Sequence, residues 1–466
     1  MAAYSSKSRL KSNSKLMASL PRSPEDHLEP YQPQLGHGPW NVGLAAHLLR
    51  RAVGGGRPGQ AAKAVEDGEP APLLAALFSP RDAKRLQQEQ RWARHGRALA
   101  LGDRNQWAAG WLMRILADDR APGMRLTLFW HSHFANAISK VRELSWMEQQ
   151  QQSFLTYGEG PFLALAKAML RDPAMLRFLD GDANRRGLPN ENLAREFMEL
   201  FTLGVGPYSE TDVQEAARAL TGRTVRRGAY HAEALHHDRE EKTVLGKAIQ
   251  DGDDLAEVAV AHPACPRYLI RQLWQFYVSP TLPDGVEDLL ASRWREQSLD
   301  ITWLLRTMLS SRAFFAPEAV QSLVASPVDF VIGTLRALGS RPQLSAVENA
   351  CAAMGQALGE PPGVQGWAGG ESWIHTTAWL ERTRFAENVA YGRQDFLRDA
   401  KNLPTAQGRS TQDLLDDLLQ RFLPSGLAPT RRASLLSQLE SEPLRGEQAL
   451  AKVGYAVLSL PEYHLF

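Results

Sequence analysis

Residues 188–205 read Leu188-Pro-Asn-Glu-Asn-Leu-Ala-Arg-Glu-Phe-Met-Glu-Leu-Phe-Thr-Leu-Gly-Val205, followed by Tyr208-Ser-Glu-Thr-Asp-Val213 and Ala216-Ala-Arg-Ala-Leu-Thr-Gly222. Asn190 is a helix-capping residue, and Leu193, Phe197, Leu200 and Phe201 follow it at helical spacing as an apolar stripe about 100° wide. A helix from Asn190 through Leu203 is expected, stopped by Gly204 and Gly206. Ser209 and Asp212 have the spacing of a capping box, and Val213, Ala216, Ala217 and Leu220 form the next inward face up to Gly222. The segment therefore predicts a tight helical hairpin with Leu193, Phe197, Leu200, Val213 and Leu220 in its core.

Working outward, the same periodicity recurs almost everywhere from Trp40 on, so the expected class is all-α. Asn41 caps a predicted helix over 42–53 that ends at Gly54-Gly55-Gly56, and another is expected over 122–138. Residues 223–248 are the least helical stretch and read equally as irregular chain or a short hairpin. Between Gly359 and Gly370 glycine, proline and tryptophan predict a long shaped loop. Residues 39–466 are expected to form one large helical domain, with a possible C-terminal helical subregion from about residue 340. Residues 1–38 are expected to be a disordered polar tail, because Lys7, Arg9, Lys11, Lys15 and Arg22 precede the first acid, Glu25, without an apolar face.

Of the 466 residues 44% are hydrophobic, and 53 bases against 52 acids leave a formal charge of +1. That near balance supplies no global field toward nucleic acid, and no nucleic-acid partner is expected. No run approaches the roughly 18 apolar residues of a membrane span. Leu16 to Leu20 is too short for the apolar core of a secretory signal, so the sequence by itself points to the cytoplasm. Two cysteines, Cys265 and Cys351, cannot build a disulfide framework. Nucleophile-elbow, zincin-helix, Walker and dinucleotide signatures do not occur.

Several polar positions carry candidate chemistry. Asn192, Glu196 and Glu199 share a polar edge beside the apolar stripe of the first hairpin helix. Two carboxylates three apart can hold a divalent metal or divide acid and base roles, whereas the plainer reading is a solvated face in which Arg195 pairs with Glu191 or Glu199. His131 and His133 project about 200° apart on a helix and cannot share one ion, so at least one is expected to be a hydrogen-bonded interior residue. His236, His237 and Asp238 can converge on a ligand or lock a loop onto a helix. His47, Arg50 and Arg51 precede the triple glycine, whose amides can approach an anion or simply cap the helix. Trp367 and Trp373 can stack a sugar or flat ligand, or fasten their loop to the core.

The hairpin segment, together with Ala46-His-Leu-Leu-Arg-Arg51, Phe129-Trp-His-Ser-His-Phe134, His237-Asp238 with Lys242 and Gly246, Pro361-Pro-Gly-Val364 with Gly366-Trp367, Gly369-Gly370 and Trp373, and then Arg382, resembles a bacterial family, domain of unknown function 1800. The resemblance spans roughly residues 40 to 460. The chain departs from the pattern at Val53 to Gly56, where an aromatic between small residues is usual, and at Arg223, where an aromatic is common. The resemblance implies a mainly helical domain and no established reaction. Family members often look exported and are often encoded beside an uncharacterised family numbered 1501, which makes that family the expected partner. Two functions follow. The first is a binding or assembly protein that works with a partner, using His47, Arg51, Asn192, Arg195, His237, Asp238, Trp367 and Arg382. The second is a metal-assisted hydrolase in which Glu196, Glu199 and His133 are catalytic, a divalent metal is the cofactor, and Glu196, His133 and His237 lie within one side-chain shell.

Overall fold

The computed structural model describes residues 23–80, 82–118, 122–396, 403–441 and 444–466. It is mainly helical, and among these residues the strands form two two-stranded sheets. Two hydrophobic cores organise the helices. The larger is built from residues between Leu28 and Phe315, and the second joins residues 100–147 to the chain beyond Ala325. The helix Gly123–His133 serves both, sending Leu126, Phe129 and Trp130 into the first and Met124 and Leu128 into the second. The C-terminal third does not pack on itself alone: the helices Pro327–Leu338 and Leu344–Ala353 lie against Arg104–Ala117. Thr376–Ala390, Thr411–Phe422 and Gly446–Leu458 close the far side.

Local signals produce the expected caps. Asn41 accepts a hydrogen bond from the Leu44 amide at the start of Val42–Val53, and Gly54 ends that helix in the left-handed conformation at φ 79°. Ser209 and Asp212 form a reciprocal capping box on Glu210–Ala219. The first hairpin helix departs from expectation. Asn192–Glu196 is a single α-helical turn and a π-helix follows over Phe197–Thr202, with the Leu203 amide donating to Met198 O at 2.8 Å and the Thr202 hydroxyl to Phe197 O at 2.7 Å. The wider turn still buries Leu193, Phe197 and Phe201, but leaves Leu200 half-buried. Asn190 acts one residue early, its side chain accepting from the Asn192 amide.

Residues 223–248, left open by the sequence, contain two hairpins joined by irregular chain over 233–241. Strands β1 (Arg223–Arg226) and β2 (Ala229–Ala232) pair antiparallel, as do β3 (Lys242–Val244) and β4 (Lys247–Ile249). Each turns through two residues at positive φ, Arg227-Gly228 and Leu245-Gly246. The helix expected over 122–138 stops at His133. The chain is extended at Ala137, which lets the Ile138 amide donate to Gly359 O at 2.9 Å.

The expectation of a disordered tail over residues 1–38 needs correction from Ser23 on; residues 1–22, with the signal-peptide reading, lie outside the described residues. Ser23 and Asp26 cap a short helix, and Tyr31 packs on Phe315 at 4.9 Å while its amide donates to Ser310 O. Leu28 and Tyr31 supply the apolar contact that the basic residues before them lack. No helix among the described residues is long and apolar enough to cross a membrane.

Candidate functional site

The two cores leave a cleft of about 680 Å³ between them, and the C-terminal end of the helix Gly123–His133 runs along it. At its base Arg125 forms a two-pronged ion pair with Asp329, at 2.8 and 3.1 Å, both side chains being almost fully buried. The Arg125 guanidinium also donates to Arg51 O at 2.8 Å and lies 4.2 Å from the centre of the Phe276 ring. Asp329 is fixed in turn by the Ser326 hydroxyl at 2.9 Å. Above this base stand Gln272, Gln275 and Phe276 from the helix Ala264–Tyr277, and Gln356, Gln365, Trp367 and Trp373 from the chain that closes the opposite side.

Three consecutive side chains at the helix end hold the walls. The Gly359 amide donates to His131 Nε2 at 3.1 Å, so that nitrogen is bare and the ring proton sits on Nδ1. Ser132 Oγ accepts from the Trp367 amide at 3.2 Å. His133 Nε2 meets Phe201 O at 3.0 Å, and because a carbonyl only accepts, Nε2 carries the proton there. Burial depresses both imidazoles, His131 to about 3 and His133 to about 4, so both are neutral at physiological pH. The loop approaches so closely that a Cβ on Gly366, at φ +72°, would sit 2.2 Å from Ser132 O; only glycine fits there. On the other side Tyr268 donates to Leu200 O at 2.8 Å, so the π-turn carbonyls of Leu200 and Phe201 are both fastened by side chains that line the cleft.

The sequence candidates separate into those inside the cleft and those outside it. His133 and Trp367 line it, and Glu196, Glu199, His237 and Asp238 are not among its lining residues. Glu199 accepts from the Tyr208 hydroxyl at 2.9 Å, and burial with Glu199 nearby raises the Glu196 pKa. Arg195 pairs with Glu191 at 3.0 Å and Glu210 at 2.7 Å, and Asn192 donates to Asp180 at 3.2 Å. His237 Nδ1 lies 2.9 Å from Thr221 O, and Asp238 pairs with Arg218 at 2.8 Å while Lys242 gathers the carbonyls of Asp238, Glu240 and Gln250. His47 Nε2 meets Phe314 O at 3.0 Å; Arg51 donates to Ala319 O and Arg382 to Ala325 O and Trp373 O. The triple glycine presents carbonyls rather than amides to a charge: Arg336 donates to Val53 O and Gly55 O. His47, Arg51, His237 and Arg382 thus bind main-chain carbonyls, whereas Asn192, Arg195, Glu199 and Asp238 pair with side chains. Among the described residues no three His, Cys, Asp or Glu side chains gather as a metal-ligand set.

Sequence reading missed Arg125, Asp329 and the glutamines. The available signal was a lone arginine in Met124-Arg-Leu-Thr-Leu-Phe-Trp130 and a lone acid in Pro327-Val-Asp-Phe-Val-Ile332, two isolated opposite charges in otherwise apolar helices.

Fold and cleft together define a mainly helical protein with a preformed pocket whose walls are tied down through backbone amides on one side and carbonyls on the other. The chain belongs to the family described as "Protein of unknown function (DUF1800)", whose model matches residues 47–465. No curated protein and no solved structure matches it.

Proposed function

We propose that this protein is a binding component that receives a segment of a partner protein in the cleft between its two cores. The observation that carries this reading is the lining. Gln272, Gln275 and Gln365 offer donors and acceptors suited to main-chain amides, while Phe129, Phe276 and Trp367 offer apolar surface for the side chains between them. Among the described residues the lining holds one cation, Arg125, neutralised by Asp329, and a further exposed acid, Glu371, a balance that disfavours a polyanion. A preformed pocket also spares the protein's share of the ordering cost of binding. The resemblance supplies the candidate partner, a protein of the family numbered 1501, beside which members of this family are often encoded. Isothermal titration of that partner into the parent and into Trp367→Ala tests the reading. Binding that Trp367→Ala weakens supports it, and equal binding by both overturns it.

A further inference from the structure

We propose that the chain has a second, separate site, for a phosphate group, in a pocket of about 490 Å³ between the triple-glycine loop and the helix Thr411–Phe422. Three arginines line it, Arg50, Arg57 and Arg421, against a single acid, Asp417. The acid is already engaged by Arg409. Arg50 donates to Tyr463 O at 3.1 Å and Arg421 to Ala337 O at 2.9 Å, and among the described residues neither guanidinium pairs with a carboxylate. A guanidinium carries five N–H donors, so Arg50 and Arg421 each retain several for a ligand. Burial lowers both their pKa values, only partly offset by Asp329 near Arg50 and Asp417 near Arg421.

The pocket exists because the loop and the helix Pro327–Leu338 approach at two glycines. A Cβ on Gly55, at φ +118°, would meet Gly333 Cα at 3.1 Å. Half-buried Leu403, Pro404 and Pro424 form an apolar rim beside the arginines. Forked donors that match phosphate oxygens, beside an apolar rim, fit either inorganic phosphate or the phosphoryl end of an organic ester.

The test is calorimetric titration of the full chain with inorganic phosphate and with phenyl phosphate, ionic strength being held constant with sodium chloride. Saturable binding of either anion is expected; tighter phenyl phosphate assigns the rim to an organic group, and equal affinity assigns the site to the free ion. Arg421→Gln should weaken binding by about tenfold or more, and Asp417→Asn, which removes the one opposing charge, should tighten it. Heat no larger than that of chloride dilution overturns the proposal, as does an Arg421→Gln protein that binds like the parent. If Arg421→Gln does not fold, Asp417→Asn decides, since unchanged or weaker binding there overturns the site.

Discussion

Asp329→Asn changes one atom and should be among the most damaging isosteric substitutions in the chain. Arg125 and Asp329 have side-chain exposures of 2% and 6%, so water cannot replace the lost charge. Arg51 depends on the same acid. It is fully buried, its Nε and Nη1 have no hydrogen-bond partner, and Asp329 is the nearby acid that offsets its repulsion by Arg50 and Arg125. Removing one member of a buried pair costs about 3 to 5 kcal/mol because the remaining ion is left uncompensated, and two dependent arginines place the expected loss toward the upper end. With an unfolding entropy of about 2.1 cal/mol/K per residue, a chain of 466 residues has roughly 1 kcal/mol/K, so the melting temperature should fall by about 3 to 5 °C. Thermal unfolding followed by circular dichroism, with urea titration alongside, measures both quantities. The double variant Arg125→Met/Asp329→Leu should recover much of the loss, since a well-packed apolar pair often matches a buried ion pair. An Asp329→Asn protein that melts within about 1 °C of the parent would refute the electrostatic account of the cleft base.

Asp172 caps the helix Pro173–Phe178, and burial raises its pKa to about 7 against the hydrogen bonds it accepts from Met175 and Gln150. A folded pKa above the unfolded value near 3.8 means that its contribution to stability is lost as pH rises between the two, so Asp172→Asn should change little at pH 4 and stabilise by about 2 to 4 kcal/mol at pH 8. Urea titrations at both pH values check this, and a difference independent of pH contradicts it. Phe197→Ala empties a fully buried site in the larger core and should cost about 3 to 5 kcal/mol in the same assay; an unchanged midpoint would show that the π-turn is not packed as described. Gly366→Ala cannot keep both its φ and its distance from Ser132, so the Trp367 loop must lift. Partner binding should weaken about tenfold or more while far-ultraviolet circular dichroism is unchanged, and parental affinity would detach the loop from the site.

The sequence was legible where structure depends on neighbours along the chain. Asn41, Gly54, Ser209 and Asp212 act within a few residues of themselves and do what their spacing predicts. The β-hairpins were harder because Arg227-Gly228 and Leu245-Gly246 lack the Asn-Gly or Asp-Gly pair that marks a two-residue turn, although each glycine supplies one of the two positive φ angles. The π-turn carries no composition signal; its widened ladder is accompanied by side chains from distant segments, His133 and Tyr268, reaching carbonyls at its end. The candidate site suffered from the same limit. His47, Arg51, His237 and Arg382 are polar residues in apolar surroundings, a pattern that serves catalysis and carbonyl binding alike, and their partners lie as far as 268 residues away along the chain. Only the folded chain shows that each of them reaches a main-chain carbonyl.

The central claim is that the cleft between the cores is where a partner segment binds. Hydrogen exchange of the chain alone and in complex with the partner of the family numbered 1501 tests it most directly, because protection reports on backbone amides segment by segment. The account predicts new protection in peptides covering 264–280 and 359–374, which face each other across the cleft. Protection confined to 190–213 or 236–249, with the cleft peptides exchanging as in the free chain, would contradict it.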